Sequence, residues 1–193
     1  MDITDLLTFK IQEIGQSTVH FSEKPFRWCT LPYPNHLNGC PNYNKNPLCP
    51  PNTQMLDDKL DDYNNFYLIY AKFQLDEYVE EMRNRHPNWS YRQASCVLYW
   101  QGSVKRRIKD RLKSIFRKNP NNEFYMFASG SGFKEVFGNQ DKIYSMEAAG
   151  IDVFKTLKNN DIEFELKPRN FILLINLLCS KNPIEFDEKN LNS

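Results

Sequence analysis

The sequence has little glycine, few histidines and no long hydrophobic run. Of its 193 residues, 7 are glycine, 3 are histidine and 5 are cysteine. The longest apolar stretch, 171–179, is interrupted by Asn176 and is far shorter than the ~20 residues that a membrane-spanning helix needs. The first residues also lack the cationic and apolar regions of a signal peptide. The sequence therefore predicts a cytoplasmic protein, whose thiols stay reduced and which has no membrane partner.

The chain also lacks a large net charge. The formal charge is +1, which excludes a protein that binds polyanions through its bulk charge. Hydrophobic residues make up 40% of the chain and aromatic residues 14%, which excludes a disordered polymer. A chain of this length buries roughly 70% of its unfolded surface. We therefore expect a single domain over 1–193 that needs neither a disulfide nor a metal merely to fold.

Apolar periodicity and turn residues predict alternating helices and strands. The predicted helices span 4–14, 55–64, 76–85, 90–118 and 145–159. The predicted strands span 17–21, 66–73, 123–128, 162–166 and 171–178, of which the last could also be a helix. This alternation favours the α/β class, with a layered mixed or parallel sheet flanked by helices. We expect a loop at 129–141 and a frayed tail at 184–193.

One long segment has no periodicity at all. Residues 25–53 hold seven of the 11 prolines, and prolines at that density prevent regular structure. We call this segment the cysteine loop because it also holds Cys29, Cys40 and Cys49. A loop of this length within a compact domain is usually functional.

The spacing of these cysteines favours an iron–sulfur cluster over zinc. Structural zinc sites usually contain two cysteines separated by two to four residues, and this loop has no such pair. A 4Fe–4S cluster is larger than one ion, so its thiolate ligands can come from further apart. Three buried thiols without a metal are the plainer alternative. We favour Cys96 as the fourth ligand, and His36, Cys179 or an open position remain alternatives.

Two blocks of the sequence resemble a known family. The first block contains 39–43 (GCPNY) and 49–51 (CPP), and the second contains 145–148 (SMEA) and 150–154 (GIDVF). Together they resemble an uncharacterised family of predicted metal-binding proteins, which implies a metal or cluster at the loop cysteines. Asn44 stands where the family has glycine, and it tolerates a left-handed backbone. The family's second cysteine-rich stretch is missing here, so the resemblance implies a single site.

A basic face is predicted on the long helix, over 104–118. The candidate nucleic-acid contacts are Arg92, Lys105, Arg106, Arg107, Lys109, Arg111 and Lys113. Cations with aromatic residues nearby can follow a nucleic-acid backbone and stack on its bases. The alternative is a solvated helix face whose cations suit the C-terminal end of the helix dipole.

These features lead to one main hypothesis and two alternatives. The main hypothesis is a 4Fe–4S protein that acts in electron or sulfur transfer, as the partner of a redox enzyme or of one that modifies nucleic acids. The first alternative is a zinc-stapled module that binds nucleic acid or protein without catalysis. The second is a non-redox cluster enzyme with an open iron site. We expect Glu147 and Asp152 to cap the helix 145–159 or to lie on its surface, unless the family resemblance implies a site there.

Overall fold

A four-stranded antiparallel sheet organises the fold in the computed structural model, which describes residues 2–32, 36–130 and 140–186. The strands are β1 (Leu7–Ile14), β2 (Asn65–Gln74), β3 (Phe124–Phe127) and β4 (Phe171–Ser180). Their order across the sheet is β1-β2-β4-β3. The last of these strands in the sequence therefore lies in the middle of the sheet.

Helices and short 3-10 turns connect the strands. The helices are α1 (Lys24–Trp28), α2 (Leu75–Arg85), α3 (Tyr91–Ala94), α4 (Val97–Lys118) and α5 (Val153–Asn159). The 3-10 turns are Ile3–Leu6, Gln16–Thr18, Asp57–Asp62 and Glu147–Ala149. In the part of the chain that the structure describes, none of the helices combines the length and apolar character that a bilayer crossing requires.

The sheet buries apolar side chains on both faces. Alternate residues of β2 divide between two cores, with Phe73 in the core under α4 and Leu68 in the core on the opposite face. Trp100 of α4 stacks on Phe73 with ring centroids 4.7 Å apart. The buried stripe of α4 is Trp100, Val104, Ile108, Leu112 and Ile115. This stripe fixes which side of α4 faces the sheet and which side faces away.

The α/β class with helices flanking a sheet is confirmed, but the strand directions differ from the expectation. Each paired ladder is antiparallel, and the parallel pairing in the described residues is an isolated bridge between Ala128 and Ser145. Because β2 and β3 are both antiparallel to β4, they run in the same direction. The helices α2 to α4 connect β2 to β3, as the alternation of helices and strands predicts. These two strands are not neighbours in the sheet, however, because β4 lies between them.

The predicted helix at 4–14 is wrong. A 3-10 turn at Ile3–Leu6 is followed directly by β1, in which Leu7 pairs with Phe73. The apolar residues of this segment match a helical stripe in part, but the pairing with β2 decides its structure. The predicted strand at 17–21 is a 3-10 turn, Gln16–Thr18, and one bridge from Phe21 to Ile151.

Two predicted helices are each divided. The helix predicted at 90–118 begins with a capping box of Ser90 and Gln93, but this box opens only α3, and α4 begins after Cys96. The helix predicted at 145–159 is interrupted by Gly150, whose φ is +87°, so that Glu147–Ala149 forms a separate turn.

The remaining differences lie in short or terminal segments. The acidic segment 55–64 contains the 3-10 helix Asp57–Asp62, and 162–166 is not a strand. The predicted tail begins with the buried residue Ile184, whose N–H donates to the Tyr67 hydroxyl over 3.3 Å. The rest of that tail, 187–193, and most of the predicted loop 129–141 lie outside the described residues.

Candidate metal centre

The three cysteines of the loop line one cavity of about 410 Å³, which we call the cysteine cavity. Each of them is half-buried and reduced. The other walls of the cavity come from α4, from Gly130 after the end of β3 and from the segment 145–148. The residues that line it are Pro25, Trp28, Cys29, Cys40, Pro41, Asn42, Cys49, Pro50, Gln101, Lys105, Gly130, Ser145, Glu147 and Ala148. The three thiols for which the sequence predicts one shared site therefore line the same cavity, and their binding of a metal or cluster stays a prediction.

Close backbone packing brings the first two cysteines together. Cys29 follows the last turn of α1, and its carbonyl accepts a hydrogen bond from the Cys40 N–H over 2.8 Å. Gly39 has a φ of +82°, and a Cβ at this position would lie 2.9 Å from the Thr30 Cα and would also contact the Cys29 carbonyl oxygen. Only glycine allows this approach without strain, so Gly39 sets the separation of Cys29 and Cys40.

Successive turns hold the third cysteine. The Tyr43 N–H donates to the Cys40 carbonyl over 3.0 Å, and the Asn44 N–H donates to the Pro50 carbonyl over 2.9 Å. Asn44 has a φ of +58°, which confirms the left-handed backbone expected there. The Cys49 N–H donates to the Asn46 carbonyl over 3.0 Å. Local turns therefore order a loop that has no regular secondary structure.

The segment 145–154 packs against both ends of the cysteine loop. The Ser22 N–H donates to the Gly150 carbonyl over 2.8 Å, and the Leu56 N–H donates to the Ala149 carbonyl over 3.1 Å. The Trp28 and Phe154 rings lie 5.3 Å apart. Residues of both sequence blocks, which are about a hundred residues apart in the chain, thus line the same cavity.

The thiols of the cavity act on one another electrostatically. Burial raises the pKa of Cys29 to about 11, and the neighbouring Cys40, Cys49 and Glu147 contribute to this increase. Burial also raises the pKa of Cys49, with a second contribution from Cys40. Near neutral pH these two thiols are therefore protonated, because burial disfavours the charged thiolate. The arrangement is one in which a bound metal would replace the thiol protons.

Glu147 and Lys105 form the charged wall of the cavity. Burial raises the pKa of Glu147, whereas its own N–H, the Ser145 hydroxyl and Lys105 lower it. Burial lowers the pKa of Lys105, and Glu147 raises it. The Oε2 atom of Glu147 is buried and has no hydrogen-bond partner among the residues that the structure describes.

The expected surface or capping role is wrong for Glu147. Its turn is separated from α5 by Gly150, which redirects the chain so that Glu147 faces the cavity. Asp152 does cap α5, where it accepts a hydrogen bond from the Lys155 N–H over 3.0 Å, and it lies 3.6 Å from the Lys24 Nζ. Sequence reasoning missed Glu147 as a cavity residue, although its position in the SMEA block could have indicated it.

The other candidate ligands lie elsewhere among the described residues. Cys96 precedes α4 and acts on Tyr78, whose pKa is raised first by burial and then by Cys96. Cys179 is fully buried in β4, opposite Tyr125. His36 accepts the Gly39 N–H through its backbone carbonyl. None of these three residues is among those that line the cysteine cavity.

Within residues 2–32, 36–130 and 140–186, no three or more His, Cys, Asp or Glu side chains converge on one point as the ligands of a single metal ion do. The three loop thiols line the walls of the cysteine cavity instead of meeting at one point.

The predicted basic face divides into separate environments. Lys105 lines the cysteine cavity. Arg107 lies 3.9 Å from the Asp2 carboxylate, and the Arg111 guanidinium lies 5.3 Å from the centre of the Phe9 ring. On α4, the exposed Arg106 and the half-buried Lys109 and Lys113 lie on the side opposite the buried stripe. Arg92 is exposed on α3. We call Arg106, Lys109 and Lys113 the outer basic face.

Comparisons of the chain with protein-family profiles, with curated proteins and with solved structures found no match.

Proposed function

We propose that this protein binds one 4Fe–4S cluster through Cys29, Cys40 and Cys49. The observation that carries the proposal is the placement of these thiols around a single cavity of about 410 Å³. A bound metal would stabilise the thiolate forms of Cys29 and Cys49, which burial otherwise disfavours.

The size of the cavity favours a cluster over a single zinc ion. Zinc holds its sulfur ligands at about 2.3 Å from one point, and these thiols are spread around a larger space. A cluster takes each thiolate on a different iron. Because three cysteines line the cavity, a fourth position is left for another group.

The residues of this chain would hold and shield the group. The three thiolates would bind it, while the charge of Lys105 would offset part of their negative charge. When bound, such a cluster can carry electrons, donate sulfur or bind a substrate at an open iron. We propose electron or sulfur transfer with a redox or modifying enzyme as partner, in the reducing cytoplasm, which suits five free cysteines. The open-iron enzyme and the zinc-stapled module are the alternatives.

Metal analysis tests the proposal directly. Anaerobic purification is expected to give a brown protein that absorbs near ~400 nm and contains about four irons per chain. Parallel measurement of zinc is the control, because a zinc site would give a colourless protein. A colourless chain with stoichiometric zinc, or a chain with no metal after reconstitution with iron and sulfide, would contradict the proposal.

The outer basic face supports a second proposal, contact with a nucleic acid. Arg106, Lys109 and Lys113 follow one another at helical spacing on the side of α4 that faces away from the sheet. Cations in such a row can contact successive phosphates.

Charge reversal tests this second proposal. We expect the triple variant Arg106→Glu, Lys109→Glu, Lys113→Glu to bind a single-stranded oligonucleotide more weakly. The slope of the logarithm of the binding constant against the logarithm of the salt concentration should become shallower by about one for each phosphate that the variant no longer neutralises. The matched control is Lys142→Glu, Lys158→Glu, Lys167→Glu, which makes the same change in net charge at exposed positions outside α4. Equal affinity of the two triple variants, measured by fluorescence anisotropy, would remove nucleic acid as the partner of this face.

A further inference from the structure

Glu147 is held rigidly at the wall of the cysteine cavity. Its neighbours Met146 and Ala148 are buried, and the Ile151 N–H donates to the Met146 carbonyl over 2.9 Å. The turn Glu147–Ala149 is also held at its end, because Gly150 packs closely against Met55. The approach is so close that a Cβ on Gly150 would lie 2.9 Å from the Met55 Cγ. These contacts fix the backbone of Glu147 at the cavity wall.

One oxygen of this carboxylate is unsatisfied. Oε2 is buried and accepts no hydrogen bond from the described residues, although Ser145 and the Glu147 N–H act on the same carboxyl group. An unpaired buried carboxylate oxygen is costly, and native structures rarely contain one without a reason. An oxygen of this kind beside three cysteines is a candidate metal ligand.

Charge and chemistry support the same assignment. Glu147 lines the same cavity as the three cysteines, and its carboxylate also acts electrostatically on Cys29. Carboxylate oxygen is a harder ligand than thiolate, and iron accepts both types. Lys105 lines the same cavity and would offset the added negative charge.

We propose that Glu147 is the fourth protein ligand of the cluster, bound through Oε2. The inference rests on the cluster proposed above and assigns the position that the three cysteines leave. An oxygen ligand exchanges more readily than a thiolate, so this iron is the one that a substrate or a sulfur species can reach. The iron at the Glu147 position would then be the reactive one, while the three thiolates hold the other irons in place.

Mössbauer spectroscopy of the iron-57 protein tests the ligand assignment. In the unchanged protein we expect one iron subsite that is distinct from the other three, because oxygen and sulfur ligands give iron different isomer shifts. Glu147→Cys should make this subsite resemble the others. Glu147→Gln should keep the cluster but lose one iron on mild oxidation at least about 10-fold faster than the unchanged protein, the low end of the effect seen when metal sites are altered. Glu163→Gln, at an exposed position that does not line the cavity, is the matched control.

The outcomes separate this inference from the proposal beneath it. A complete cluster in Glu147→Gln with unchanged spectrum and unchanged iron loss would overturn the role of Glu147 and leave the cluster intact. A distinct subsite that persists in a folded Glu147→Cys protein would also overturn it. Absence of iron from the unchanged protein would instead overturn the cluster proposal. If Glu147→Gln does not fold, as judged by circular dichroism, the comparison of the unchanged protein with Glu147→Cys still decides the question.

Discussion

Cys40→Ser is expected to lose the cluster almost completely, with iron falling below ~10% of the level in the unchanged protein. Cys40 is the central thiol of the three, since its backbone bonds to the carbonyl of Cys29 and it acts electrostatically on both Cys29 and Cys49. A serine hydroxyl keeps nearly the same size but is a poor substitute for a thiolate. Iron content and the absorbance near ~400 nm measure the loss.

Cys96→Ser is the matched control for this change. Cys96 is also a half-buried free thiol, but it lies before α4 and does not line the cavity. We expect this variant to retain its full iron content. Loss of iron in Cys96→Ser, with retention in Cys40→Ser, would contradict the three-cysteine site and return Cys96 to the role of ligand.

Gly39→Ala is expected to destabilise the folded protein by about 2 kcal/mol or more. The left-handed backbone alone costs a residue with a side chain roughly 1–2 kcal/mol, and here the new Cβ would also collide with the backbone of Cys29 and Thr30. Because that backbone positions two thiols, iron binding should weaken in the same variant. Urea unfolding and iron titration measure the two effects.

Gly102→Ala is the control, and it should change the stability of the folded protein in the opposite direction. Gly102 lies within α4, and a Cβ there would meet no heavy atom within 4 Å. Alanine in a helix interior should stabilise the protein by about 0.5–1 kcal/mol and leave iron binding unchanged. A Gly39→Ala protein as stable as the unchanged protein, with full iron content, would show that the close approach at Gly39 is not required.

Local sequence patterns predict the elements whose own residues decide their structure. The stripe from Trp100 to Ile115 has helical spacing over four turns, and the apolar run in β2 is long enough to identify a buried strand. The segment that forms β1 fits a helical and a strand pattern in part, and only its partner β2 decides between them. The break before α4 likewise has no proline or glycine to announce it.

The site divides in the same way. Cysteine spacing and proline density predict one shared site for Cys29, Cys40 and Cys49, and the structure places the three at one cavity. Glu147 cannot be placed there from its own segment, because its orientation depends on Gly150 and on the contact of that glycine with Met55. The sequence favours Cys96 as a ligand because this residue lies near a helix face. In the structure, Cys96 lies before the start of α4, too far along the chain from the cavity residue Lys105 to line the cavity itself.

The position of β4 has a consequence for the order of events during synthesis. The cysteine loop and Glu147 leave the ribosome before β4, yet β4 is the strand that joins β2 to β3. A nascent chain therefore carries every proposed iron ligand while its sheet is still in two parts. We expect iron to be inserted after translation has passed Ser180, when β4 has paired with both β2 and β3 and the other walls of the cavity have formed.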